Sequence, residues 1–168
     1  MKIAMYIAST GSLVDKVIDI GTGLFVYSHC EIVFEKHGPP AEDEKWLTCS
    51  ASPRDNKVRF NEIDIYSKHW HVVDLPELDD KEDEIYEFCK KYIGSKYDWR
   101  GIFFWFIFFW MKEQDNDKWW CSEFCAHVLN SFKADCKSRV RVSPNHLARK
   151  LKCPRQPFKF MFTMKKSY

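Results

Sequence analysis

The hydrophobic period of this chain changes from mainly strand-like to mainly helical near residue 79, and that change limits the fold more than any other feature of the sequence. Before it, short segments alternate apolar and polar side chains, the period of two required of a strand with one buried face. Residues 2–8, 28–35, 46–52, 57–65 and 69–75 read as strands, and SPRDN is the turn between the third and fourth. The last three are expected to form an antiparallel meander. An early helix is expected over residues 12–20, capped by Ser12 and stopped by Gly21 and Gly23. GPPAEDE reads as a loop. Beyond residue 79 the spacing becomes helical. Asp79 or Asp80 opens a helix with an acidic first turn, Lys90 and Lys91 in its last turn and Gly94 as the stop, an order that suits the helix dipole. Ile85, Phe88, Cys89 and Tyr92 form its apolar stripe. Further helices are expected over residues 99–112 and 121–132, with EQDNDK as the polar loop between them. A short helix follows to Leu151, with Ser143 as cap and Pro144 in its first position. Residues 158–164 alternate as a last strand. Strands first and helices later predict an α+β fold, an antiparallel sheet packed against helices.

The 168 residues suit one domain, 1–168, large enough to fold without a disulfide or metal. Charged residues are 30% and hydrophobic ones 45%, which excludes a disordered chain. The charge is uneven. Residues 1–132 hold 15 basic and 23 acidic side chains, net −8, and residues 133–168 hold 11 and one, net +10. Such a basic tail suits nucleic acid, anionic lipid or an anionic wall polymer. Packing on the acidic part of its own domain, or plain solvation, is the preferred reading. A transient membrane or anionic-polymer contact stays open, and no specific nucleic acid is expected.

Aromatic residues make up 17% of the chain, and many lie in GIFFWFIFFWM at 101–111. The uninterrupted apolar part is ten residues long, whereas a helix needs about 20 to cross a bilayer. The run therefore reads as a core helix, or as an apolar wall beside a site. IAMYIA after Lys2 is too short for the core of a signal peptide, so a cytoplasmic protein is expected. Seven cysteines, an odd number with no framework spacing, are expected to be reduced. Cys121, Cys125 and His127 lie close together, and His69 and His71 alternate on a strand, but four ligands at tetrahedral-site spacing are not present. Neither a metal nor a cofactor is required by the sequence.

Cys121 is the most informative residue. In WWCSEFCAHVL it stands where a loop becomes a helix, and a thiol at a helix N-terminus feels the positive end of the dipole. The resulting thiolate is a nucleophile that needs a base, and the base needs an orienting group. His29 is the candidate base, mid-strand in SHCEIVF, with Glu31 two residues on and on the same face. A buried cysteine and a hydrogen-bonded histidine explain the same residues without catalysis. Cys125 reads as core, Cys30, Cys49 and Cys89 fall on apolar faces, and Asp98 is placed to cap the aromatic helix.

Four short motifs occur in sequence: SHCEIVF, then GSKYDWRG from Gly94, CSEF at 121–124 and SPNHL at 143–147. Together they resemble the circularly permuted branch of the NlpC-type papain-like cysteine peptidases and amidases, the YiiX/YaeF-like proteins. The lecithin:retinol-acyltransferase-like enzymes are more distantly similar. The resemblance spans residues 28–147 and implies a permuted papain-like fold. It implies Cys121 as nucleophile, His29 as general base and Tyr97 as a residue that helps the oxyanion or orients the thiol. Glu31 is the choice for the third member, and Thr48 or Ser50 on the next strand is the alternative. Ser122, Glu123 and Trp120 adjoin the nucleophile as further oxyanion or substrate contacts. Trp120 stands where the non-permuted enzymes carry Asp, and Glu123 where they carry Gly; Glu123 can instead reach back to cap the helix. The implied activity is hydrolysis of an amide bond in a peptide, a cell-wall peptide or an isopeptide-like substrate. A lipid acyltransferase or thioesterase acting on an acyl-lipid is the alternative. So is a catalytically inactive binding module that uses the basic C-terminal region.

Overall fold

The computed structural model describes residues 1–7, 27–37, 45–102, 117–132 and 142–153. The helix expected over 12–20, the loop from residue 38, the aromatic helix beyond residue 102, most of the polar loop after it and the strand over 158–164 lie outside the described residues. So does most of the basic tail.

Among the described residues seven strands make one sheet. In chain order they are β1 (Lys2–Ile7), β2 (Tyr27–Val33), β3 (Trp46–Ser52), β4 (Lys57–Ile63), β5 (Trp70–Asp74), β6 (Lys96–Tyr97) and β7 (Lys118–Trp119). Their spatial order is β5-β1-β2-β3-β4-β6-β7, antiparallel throughout except for the parallel pair β6 and β7. The expected meander therefore stops at β4. A turn at Asp64, whose backbone and side chain accept from Ser67 and Tyr66, ends β4 at Ile63 and redirects the chain. β5 then pairs with β1, Tyr6 opposite Trp70 and Lys2 opposite Asp74, and covers an edge that would otherwise be unpaired. Lys96 takes the place beside Lys57 on the β4 edge.

Period-two alternation gives the sheet two faces. Ile3, Met5, Cys30, Ile32, Phe34, Cys49 and Val58 point to the main core. Ala4, Val33 and Ile65 form a smaller cluster on the other face, with Trp46, Ile63, Trp70 and Val72 packed around it. Among the described residues the sheet is accompanied by the helices α1 (Glu82–Lys90), α2 (Cys121–Phe132) and α3 (Pro144–Lys150). α1 begins later than Asp79 or Asp80 because Pro76 first starts a 3-10 turn over Pro76–Lys81, which buries Leu78. Its Ile85 and Cys89 are buried, and Phe88 and Tyr92 lie against the core. Gly94 has φ +91° and accommodates the turn that follows. α2 supplies the most deeply buried helical face, with Phe124, Cys125, Val128 and Leu129 all at or below 1% exposure. It packs on β2 and β3, and α3 packs on β2 and on α2. Residues 99–102 are helical, and Asp98 caps them through a 2.7 Å bond from the Gly101 N–H. Among the described residues no helix is long and apolar enough to cross a membrane.

Candidate active site

Two local features of β2 place His29. Its register with β1 slips by one residue, Tyr6 lying opposite His29 but Ile7 opposite Tyr27, so Ser28 is the extra residue of a bulge. Bulges re-aim the side chains beside them. On its other side β2 pairs with β3 only at Ile32–Cys49 and Val33–Thr48. The sheet is therefore open at the level of His29 and Glu31. Cys121, the first residue of α2, approaches there from the main-core face.

Glu31 is 1% exposed and bonds the ring, with Oε1 2.9 Å from His29 Nε2. The same carboxylate receives the Arg59 fork, Nη2 to Oε1 at 2.8 Å and Nη1 to Oε2 at 3.0 Å. Arg59 in turn holds Asp55 through Nε at 2.9 Å. The bonded chain runs Asp55, Arg59, Glu31, His29. Thr48 and Ser50 are not at the ring. Their hydroxyls donate to the carbonyls of Asn61 at 3.0 Å and Ala51 at 3.4 Å.

The second ring nitrogen of His29, Nδ1, is buried and has no hydrogen-bond partner. The Cys121 thiol lies close enough to the imidazole to influence its protonation. Burial opposes a charged imidazole, but Cys121 and then Glu31 outweigh it and raise His29 to about 10. For Cys121 the largest influence is a hydrogen bond from the Cys30 thiol. Together with the His29 ring and a backbone bond from Cys30, it overcomes burial and holds the thiol well below its ordinary value. Burial raises Glu31, but His29 and then Arg59 override it and hold the carboxyl at about 2. The three shifts all favour the charged forms, a thiolate, an imidazolium and a carboxylate. Cys30 itself is pushed well above its ordinary value, first by burial, and stays a protonated donor.

A cavity of about 370 Å³ opens on the His29 face of the sheet. His29, Glu31, Arg59 and Ser28 form its polar floor, and Tyr6, Trp70, Tyr97 and Trp99 are its aromatic walls. Cys121 is 4% exposed and does not line this cavity; it lies behind it. Tyr97 is 6% exposed, and burial, then Cys121, pushes its phenol well above the ordinary value.

Trp120, Ser122 and Glu123 are all buried and none lines the cavity. Trp120 Nε1 donates to the Val142 carbonyl at 3.2 Å, and the Ser122 hydroxyl donates to the same oxygen. Their side chains fasten α2 to the segment ahead of α3. Sequence reasoning missed Arg59 and Cys30 as parts of the site. Arg59 alternates with Val58 and Phe60, which signals its face but not its reach to Glu31.

Among the described residues, two further histidines are bonded away from the site. His127 Nε2 is 2.8 Å from the Tyr92 hydroxyl, and His71 Nδ1 is 2.7 Å from the Tyr27 hydroxyl. Among the described residues no group of three or more His, Cys, Asp or Glu is arranged to hold a metal ion. Comparison of the chain with protein-family models, with curated proteins and with solved structures finds no match.

Proposed function

We propose that this chain is a cysteine hydrolase that cleaves an amide bond through an acyl-enzyme, on a circularly permuted papain-like fold of the NlpC type. One observation carries the reading. His29 bonds Glu31 through Nε2, and the same ring is within electrostatic reach of the Cys121 thiol at a helix start. That is the nucleophile, base and orienting group of covalent catalysis in sequence.

The proton has already left the thiol in the resting site. The Cys121 thiolate attacks the substrate carbonyl, and its carbon–oxygen double bond opens to an oxyanion. Backbone N–H groups at the start of α2, with the Tyr97 hydroxyl, meet that charge. As the intermediate collapses, the carbon–nitrogen bond breaks and His29 Nδ1 gives its proton to the leaving amine. Water then attacks the thioester, His29 takes a proton from it, and the acid leaves as the thiolate re-forms. Glu31 keeps the ring oriented and favours its charged form, and Arg59 keeps Glu31 ionised. The aromatic walls suit an apolar side chain on the acyl part of a peptide-like substrate.

An acyl-directed electrophilic probe tests this. It should label the wild-type chain at Cys121 and fail to label Cys121→Ala, and His29→Ala should label slowly. Equal labelling of wild type and Cys121→Ala would end the reading.

A further inference from the structure

We infer that residues 142–145 form a clamp that sets Cys121 against His29, with Asn145 as its positioning residue. The inference rests on reading those two as the reacting pair, and it assigns a role to the SPN segment that the chemistry leaves unused.

The segment grips both partners. On the nucleophile side, the buried Val142 carbonyl accepts from Trp120 Nε1 and from the Ser122 hydroxyl, the residues that flank Cys121. Two bonds to one oxygen fix the first turn of α2 on either side of the thiol. On the histidine side, Asn145 pairs fully with the backbone of one residue of β2. Its Oδ1 accepts the Tyr27 N–H at 3.2 Å, and its Nδ2 donates to the Tyr27 carbonyl at 2.9 Å. Between the two grips, Ser143 caps α3 by accepting the His146 N–H at 3.2 Å, which makes the span short and stiff.

Tyr27 is the place where such a grip matters. It lies on one side of the bulged Ser28 and His29 lies on the other. A strand that slips by one residue turns every side chain to its opposite face. A bulge next to a strand end, with no β3 partner at that level, has little in the ladder to prevent this. Asn145 supplies from outside the ladder the two bonds that the ladder does not. Its loss leaves the fold intact but lets the imidazole drift from the sulfur, and a misplacement of about 1 Å is enough to weaken such a pair.

The readout is the thiolate of Cys121, which a merely structural residue does not tune. Iodoacetamide alkylation of the Cys121 peptide is followed by mass spectrometry in the full chain across pH 5.5–9, alongside thermal unfolding. Wild type should react at low pH. In Asn145→Ala the pH midpoint should move up towards the ordinary thiol value, with reaction at pH 6.5 slowed about tenfold. Trp120→Phe removes only the indole N–H and should move the midpoint the same way by less. Val128→Ala loosens the core of the same helix and should lower the unfolding temperature with no change of midpoint. If Asn145→Ala does not fold, Asn145→Asp, which keeps the acceptor for the Tyr27 N–H, and Trp120→Phe decide. A folded Asn145 variant with the wild-type midpoint overturns the clamp. So does a Val128→Ala midpoint that moves as far. A wild-type midpoint at the ordinary thiol value removes the reading of the pair itself, and the clamp with it.

Discussion

Replacing Glu31 by glutamine keeps the shape of the site and removes one charge. Glutamine retains an oxygen for His29 Nε2 and Arg59 Nη2 but sets its amide nitrogen against Arg59 Nη1, donor facing donor. Two routes give the magnitude. Three charge-assisted bonds are lost or weakened, each worth roughly 1 kcal/mol more than a neutral one, or about 3 kcal/mol. The carboxyl is held at about 2 against an ordinary 4.5. At about 1.4 kcal/mol for each pH unit that difference again amounts to about 3 kcal/mol. Because the folded-state value is depressed, the contribution is complete above pH 4.5 and disappears as the pH falls through about 2. Urea unfolding of wild type and Glu31→Gln, followed by circular dichroism, should differ by about 3 kcal/mol at pH 7. More than half of that difference should be gone at pH 3. A difference under about 1 kcal/mol at pH 7, the range of an exposed pair, would refute the reasoning. So would one that does not shrink with acid.

Arg59→Lys keeps a cation beside Glu31 but loses the fork, and should cost about 1–2 kcal/mol in the same unfolding assay and slow alkylation of Cys121. Phe124→Ala empties a fully buried site in α2 and should cost about 3–5 kcal/mol. Asp98→Ala removes the cap on Gly101 and should cost about 1 kcal/mol. A Cβ at Gly101 would collide with Asp98 Oδ2 and displace that cap. Gly101→Ala alone should therefore nearly balance the lost cap against helix propensity, yet stabilise by about 1 kcal/mol once Asp98 is alanine. Additive effects in the double variant would contradict this.

The sequence was most legible where one local rule decided the outcome. β3 keeps its expected limits because turn residues abut it, and α2 begins at Cys121 because apolar spacing starts there. Period two alone put His29 and Glu31 on one face, and the 2.9 Å bond between them follows from it. What failed was non-local. The partner of β5 depends on which sheet edge is free, so adjacency in sequence misplaced it beside β4. β6 and β7 are two residues each, too short to carry a period. Arg59 reaches Glu31 only through the register of three strands, and Cys30 meets Cys121 only through the packing of α2 on β2. Trp120 and Ser122 looked like site residues because they flank the nucleophile. Their bonds to Val142 depend on a segment twenty residues away.

The central claim is that Cys121 is a thiolate held by His29 at neutral pH. The thiolate absorbance near 240 nm, taken as wild type minus Cys121→Ser, measures it directly. The difference should be present at pH 6–7 and persist to higher pH, with His29 losing its proton only near pH 10. In a His29→Ala background the same signal should appear only as the pH approaches the ordinary thiol range of about 8.5. A Cys121 signal that titrates at about 8.5 in the wild type, unaffected by His29→Ala, would contradict the account.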